Sequence, residues 1–152
     1  VVLPRLDSDL FDLLFEVATA DLSAPSSGPL EAAFTSRPCV GVVLVSEGYP
    51  LRATPLKGLP LPQTSPADGV FAFWGGSTLS GDRVDASGGR VLTLCALGAT
   101  QSEARDRAYA ACSAYGNQLP AGAKLSCRSD IGLQRGHQAS LTPESLSSKV
   151  KR

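Results

Sequence analysis

Two arginines stand where the backbone is about to turn. Arg90 follows Gly88 and Gly89 and opens an apolar run; Arg128 precedes Asp130, Ile131 and Gly132. A guanidinium fork presents paired N–H donors in the geometry of a phosphate or carboxylate, so arginines at strand–turn junctions point to anion recognition. The plainer reading of each arginine is a surface ion pair of small energetic weight. The plainer reading of the glycine pairs Gly75-Gly76 and Gly88-Gly89 is a tight turn.

Other chemistries lack their residues. The single histidine, His137, lies in a polar C-terminal stretch and is expected to be solvated, and no serine sits in a G-x-S-x-G elbow, which leaves no nucleophilic triad. Phosphate-loop and dinucleotide fingerprints are absent. Cys39, Cys95, Cys112 and Cys127 are widely spaced and at least two lie in apolar runs, so they read as reduced, buried thiols rather than a zinc site. The chain has 152 residues, 43% of them apolar and 18% charged, which suits one compact domain or one domain with the end of another. Fourteen basic residues balance fourteen acidic ones, which argues against nucleic acid or a membrane as partner. No apolar run reaches the roughly 18 residues of a membrane span. Val1-Val2-Leu3-Pro4-Arg5 lacks the order of a signal peptide, so an intracellular protein is expected. Methionine is absent even from position 1, so the chain reads as a fragment with its start upstream.

The elements that must position the arginines follow from periodicity. Leu10, Leu13, Leu14, Val17 and Ala18 recur at three and four residues and predict a helix over 9–21, capped by Asp7 or Ser8. The run Ser23-Ala24-Pro25-Ser26-Ser27-Gly28-Pro29 marks a domain boundary. Residues 39–46 are short, apolar and rich in valine, and predict a strand covered on both faces. Prolines 55, 60, 62 and 66 predict a surface loop over 51–68. Strand character returns over 70–74 and again over 90–97. Thr100 and Glu103 have capping-box spacing before a helix with a small-residue face (Ala104, Ala108, Ala111, Cys112, Tyr115) that Gly116 would end. A last short strand is expected over 124–127. Residues 133–152 carry Arg135, Lys149, Lys151 and Arg152 against Glu144 alone and read as a disordered tail. One good helix among strands and long loops, without βαβ repetition, predicts an α+β fold with a mostly antiparallel sheet and one or two packed helices.

Several stretches resemble phosphoribosylamine–glycine ligase. Gly88-Gly89-Arg90-Val91-Leu92, the following strand, and Ala96-Leu97-Gly98-x-Thr100-x-x-Glu103-Ala104-Arg105-x-Arg107-Ala108-Tyr109 are similar to a signature of that family's C-terminal domain. Residues 42–50, VVLVSEGYP, are similar to its V-V-L-A-S-x-G-Y-P, and Phe73-Trp74-Gly75-Gly76-Ser77 falls where the family has F-H-A-G-T. Arg128-x-Asp130-Ile131-Gly132 completes the order, and residues 2–14 resemble the helix that closes the family's ATP-grasp domain. The chain departs from the family at Trp74, Ser129 and Leu133-Gln134, and in a longer loop over 50–58.

The resemblance implies an ATP-grasp enzyme of purine biosynthesis. ATP phosphorylates the carboxylate of glycine, and the amine of phosphoribosylamine displaces phosphate to give glycinamide ribonucleotide. Residues 1–24 would end the ATP-grasp domain, 36–132 would form the C-terminal ligase domain, and 133–152 the tail. ATP and Mg²⁺ would be held by upstream segments, no metal and no catalytic residue by this part, which alone would be inactive. Gly88, Gly89, Arg90, Arg128, Asp130 and Gly132 would then bind substrate, the glycines by allowing close backbone approach and Asp130 by orienting Arg128 or accepting from an ammonium group, and this part would pack on the upstream domain. The expected location is cytoplasmic, with an organelle left open by any upstream transit peptide. The alternative is a non-catalytic binding module that keeps the fold without the chemistry.

Overall fold

The computed structural model describes residues 1–20 and 31–133. Its centre is β6 (Arg90–Leu97), the most continuously buried strand, flanked by β1 (Cys39–Ser46) on one side and β3 (Val70–Trp74) on the other. The short β7 (Leu125–Ser126) completes a four-stranded sheet of order β3-β6-β1-β7, antiparallel throughout. Directly paired residues share a face. Val42 opposite Leu94, Leu44 opposite Leu92 and Trp74 opposite Leu92 therefore look the same way. Against that face lies α2 (Gln101–Gly116), whose Ala104, Ala108, Cys112 and Tyr115 are buried. Two alanines with no exposed surface bring the helix close to the sheet, as the small-residue face predicts.

The turn from β6 into α2 is closely specified. The Thr100 hydroxyl accepts from the Glu103 amide at 3.1 Å, and the Glu103 carboxylate accepts from the Ala99 amide at 2.7 Å. Two otherwise free helix-start amides are thereby satisfied, with glutamate reaching one residue further back than in a standard capping box.

The 51–68 segment is not the plain loop its prolines suggest. It contains β2 (Leu56–Pro60), which joins β5 (Arg83–Ala86) and β4 (Ser77–Ser80) in a three-stranded antiparallel sheet of order β2-β5-β4. β2 is an edge strand, where a proline need not donate to a neighbour. Leu59 is fully buried, and the Pro60 carbonyl accepts from the Tyr115 hydroxyl at 3.0 Å, tying this sheet to the end of α2. Leu59→Ala is expected to cost about 2–5 kcal/mol in a urea titration, because one leucine carries most of the strand's attachment. β4 and β5 are joined by Gly81-Asp82, a two-residue turn in which only the glycine has positive φ (63°).

All four cysteines are free thiols, with Cys95 and Cys112 buried. Burial is the main cause that pushes the Cys112 thiol up to about 12 from 9.0 and the Tyr115 phenol up to about 12 from 10.0. Both folded values lie above the unfolded ones, so folding favours the neutral forms. Their stabilisation is complete below about pH 9 and is lost as pH rises towards 12, at up to about 1.4 kcal/mol per pH unit for each group. Urea midpoints measured from pH 8 to 11.5 should fall accordingly, and Tyr115→Phe should flatten the part above pH 10.

Two expectations about the apolar segments change. The helix α1 (Leu10–Thr19) is capped by Asp9, whose carboxylate accepts from the Phe11 and Asp12 amides, rather than by Asp7 or Ser8. Asp7 and Ser8 instead meet residue 33: both amides point to the Ala33 carbonyl, and the Ser8 hydroxyl accepts from the Ala33 amide. No residue of α1 is buried. β1 alternates rather than being covered on both faces: Val40, Val42, Leu44 and Ser46 are buried, while Val43 is 38% exposed. Only α2 covers one face fully. The expected boundary at 23–29 and the tail from 134 onward, with Arg135 and His137, lie outside the described residues.

Candidate anion-binding cleft

The open face of the four-stranded sheet carries two adjoining hollows of about 500 Å³ each. The first has an apolar floor of Val43, Val45 and Ile131, with Tyr49 and Pro50 on one side and Arg90 and Arg128 among its walls. The second is lined by Gly75, Gly76, Gly88 and Gly89, again with Tyr49 and Arg90. Arg90 and Tyr49 thus stand between them. Residues 38 positions apart in the chain meet here because β6 begins, and the segment after β7 passes, at the same end of β1: Val45 lies opposite Arg90 on one side and Ser126 on the other.

The glycine pair before Arg90 has a visible task. A Cβ on Gly89 would lie 2.4 Å from Cδ2 of Tyr49, so the ring lies directly over the bare backbone. The Gly89 carbonyl accepts from the Ser46 amide at 2.8 Å, which fixes this turn to the end of β1. The side-chain position of Gly88 meets only the Arg90 carbonyl oxygen, at an ordinary 3.8 Å, and Gly88 lines the second hollow. Gly89→Ala should therefore displace Tyr49 and reshape the cleft while costing only about 1 kcal/mol of stability. Tyr49 fluorescence quenching and a urea titration would read the two effects separately.

The two arginines differ in what already holds them. Arg90 is exposed, and none of the ion pairs among the described residues includes it. Arg128 donates from Nε to Asp130 Oδ1 at 2.9 Å and from Nη2 to Oδ2 at 2.5 Å, a two-pronged pair that raises its pKa. Asp130 thus orients Arg128, on the solvent-exposed rim. Gly132 is elsewhere: its side-chain position meets the Val40 methyls at 3.1–3.2 Å, and its φ is 74°. Its bare backbone serves the packing against β1 and the left-handed turn. Trp74 also lies off the cleft, on the α2 side of the sheet, packed edge-on to Tyr115 at 6.3 Å. Among the described residues no cluster of three or more His, Cys, Asp or Glu side chains could hold a metal ion. No helix among them is long and apolar enough to cross a membrane. Tyr49 and the floor valines carry no charge, so their residue types give no sign in the sequence that they face a ligand; the bareness of Gly89 is the signal for Tyr49.

The architecture is that of an α+β domain built from two antiparallel sheets and two helices. Residues 39–134 match the family described as phosphoribosylglycinamide synthetase, C domain, and the chain belongs to that family. It is 39% identical over 114 residues to the phosphoribosylamine–glycine ligase of Rhizobium meliloti, covering 73% of this chain and 25% of that protein. Against the enzyme of the same name from Mesorhizobium japonicum it is 39% identical over 137 residues, or 88% of this chain and 29% of the relative. The ligase of Chlorobaculum tepidum is 37% identical over 133 residues, with 87% and 29% covered. The chain therefore spans between a quarter and under a third of the length of these relatives.

Proposed function

We propose that the chain is the C-terminal part of an ATP-dependent ligase that joins glycine to 5-phosphoribosylamine, and that its cleft is one wall of the substrate site. The observation that carries this reading is the meeting of Arg90 and Arg128 over one open, apolar-floored hollow. Phosphoribosylamine carries a phosphate, and a guanidinium with no ion-pair partner among the described residues, at the edge of a low-dielectric surface, is a strong anchor for one. Arg90 takes the phosphate. Arg128, already aligned by Asp130, closes the other side and meets the same anion as the weaker contact, since two of its donors are already given to Asp130.

In this reading the chain holds substrate in place and stabilises charge rather than transferring protons. ATP and Mg²⁺ would be held by residues of the preceding domain, and no step is assigned to them here. Residues 1–24 are the closing part of that domain and 36–132 the C-terminal domain. The exposed apolar side chains of α1, including Phe11 stacked on Phe15 at 5.9 Å, support packing on the preceding domain in a cytoplasmic enzyme.

The test is glycinamide ribonucleotide formation by the full-length gene product supplied with ATP, Mg²⁺, glycine and phosphoribosylamine. Product from the whole protein and none from the 152-residue chain alone is the expected result. A full-length protein that binds these substrates without turning them over would instead support a non-catalytic module.

A further inference from the structure

The segment that bears Arg128 is fastened to α2 along nearly its whole backbone. Three side chains of α2, spaced four residues apart and hence on one stripe of the helix, do this. The Tyr109 hydroxyl donates to the Arg128 carbonyl at 2.6 Å and accepts from the Ile131 amide at 3.2 Å. Arg105 donates from Nη2 to the Ser129 carbonyl at 2.8 Å, and its guanidinium lies 4.6 Å from the centre of the Tyr109 ring. Gln101 donates from Nε2 to the Gly132 carbonyl at 3.1 Å. The main chain is held on both sides of Asp130, while the side chains of Arg128 and Asp130 stand outward, joined to each other.

Core formation does not account for this mount. Of residues 128–132, Ile131 packs against the core and Gly132 against Val40, whereas Arg128, Ser129 and Asp130 are exposed. An exposed ion pair adds little to stability, so fixing its backbone at four points makes sense where the direction of the guanidinium matters. We propose that Tyr109 is a positioning residue for substrate, with Arg105 and Gln101 as its supports: the outer stripe of α2 sets where Arg128 stands at the cleft rim. The inference rests on the reading that Arg128 meets the substrate anion. It adds that the affinity of that contact is set from the helix.

Tyr109→Phe tests it in the full-length gene product, because the ring and its stack with Arg105 are kept while both hydroxyl hydrogen bonds are lost. The KM for phosphoribosylamine is expected to rise about fivefold, with kcat changed by less than about twofold, as fits the loss of one or two net hydrogen bonds. The Ile131 amide, deprived of its acceptor, should exchange about tenfold faster while the β6 amides keep their rates. In an Arg128→Ala background, Tyr109→Phe should add no further rise in KM. An unchanged KM in Tyr109→Phe where Arg128→Ala raises it, or full additivity of the two, overturns the inference and leaves the cleft reading intact. No effect of Arg128→Ala itself would remove the role of Arg128 and the inference together. Gln101→Ala, which removes one support without touching the tyrosine, should give a smaller rise in the same KM, and none would count against the mount.

Discussion

Arg90→Ala is expected to raise the KM for phosphoribosylamine by roughly 10- to 150-fold in the full-length gene product, the range set by about 1.5–3 kcal/mol for a charge-assisted hydrogen bond. Arg90 has no ion-pair partner among the described residues, so its removal leaves no orphaned carboxylate and should hardly change the Tm. Arg90→Lys should recover only part of the loss, since an ammonium supplies charge without the planar fork. Arg128→Ala should have a smaller effect, because that guanidinium already spends two donors on Asp130. Steady-state kinetics with glycine held saturating separates these outcomes. Equal losses in both variants would argue that Arg90 is not the principal anchor.

The second large effect concerns the fold. Gly98→Ala is expected to destabilise the protein by about 3 kcal/mol or more, lowering the Tm by roughly 10 °C or more. A Cβ there would lie 2.4 Å from the Ala104 amide nitrogen and 2.9 Å from both the Ala104 Cα and the Thr100 carbonyl oxygen. These are backbone atoms of the first turn of α2, which no side-chain rotation can move aside. The same residue donates to the Pro38 carbonyl at 3.1 Å, so it joins the end of β6, the start of α2 and the approach to β1. Gly116→Ala is the matched control. Nothing lies within 4 Å of its side-chain position, and a helical alanine should stabilise by about 0.5–1 kcal/mol. Thermal melts of the two variants should move in opposite directions.

The contrast between these glycines also marks what sequence reading reaches. β6 and α2 were legible because several independent signals agree there: a seven-residue run after Arg90 that is apolar but for Thr93, a capping pattern and a small-residue stripe. β2 was not, because its prolines obscure a strand whose attachment depends chiefly on Leu59 and whose edge position depends on partners 20 or more residues away. β4 shows no alternation at all, since all four of its residues are exposed. The apolar run of β1 suggested cover on both faces, yet one face is open over Val43, and that opening makes the cleft. Arg90 and Arg128 could be named from their local setting. Their convergence could not, because it depends on β1 pairing with β6 and β7 at the same end. At Gly132 a bare backbone signals close approach, and only the fold reveals that Val40 packs there.

In the proposed function the open side of this sheet receives the anionic end of a substrate between two guanidinium groups. A crystal structure of the full-length gene product with glycinamide ribonucleotide tests it most directly. The ligand's phosphate should lie within hydrogen-bonding distance of Arg90, with Arg128 on the opposite wall and still paired with Asp130. A phosphate seated elsewhere, with the Arg90 guanidinium directed into bulk water, would contradict the account.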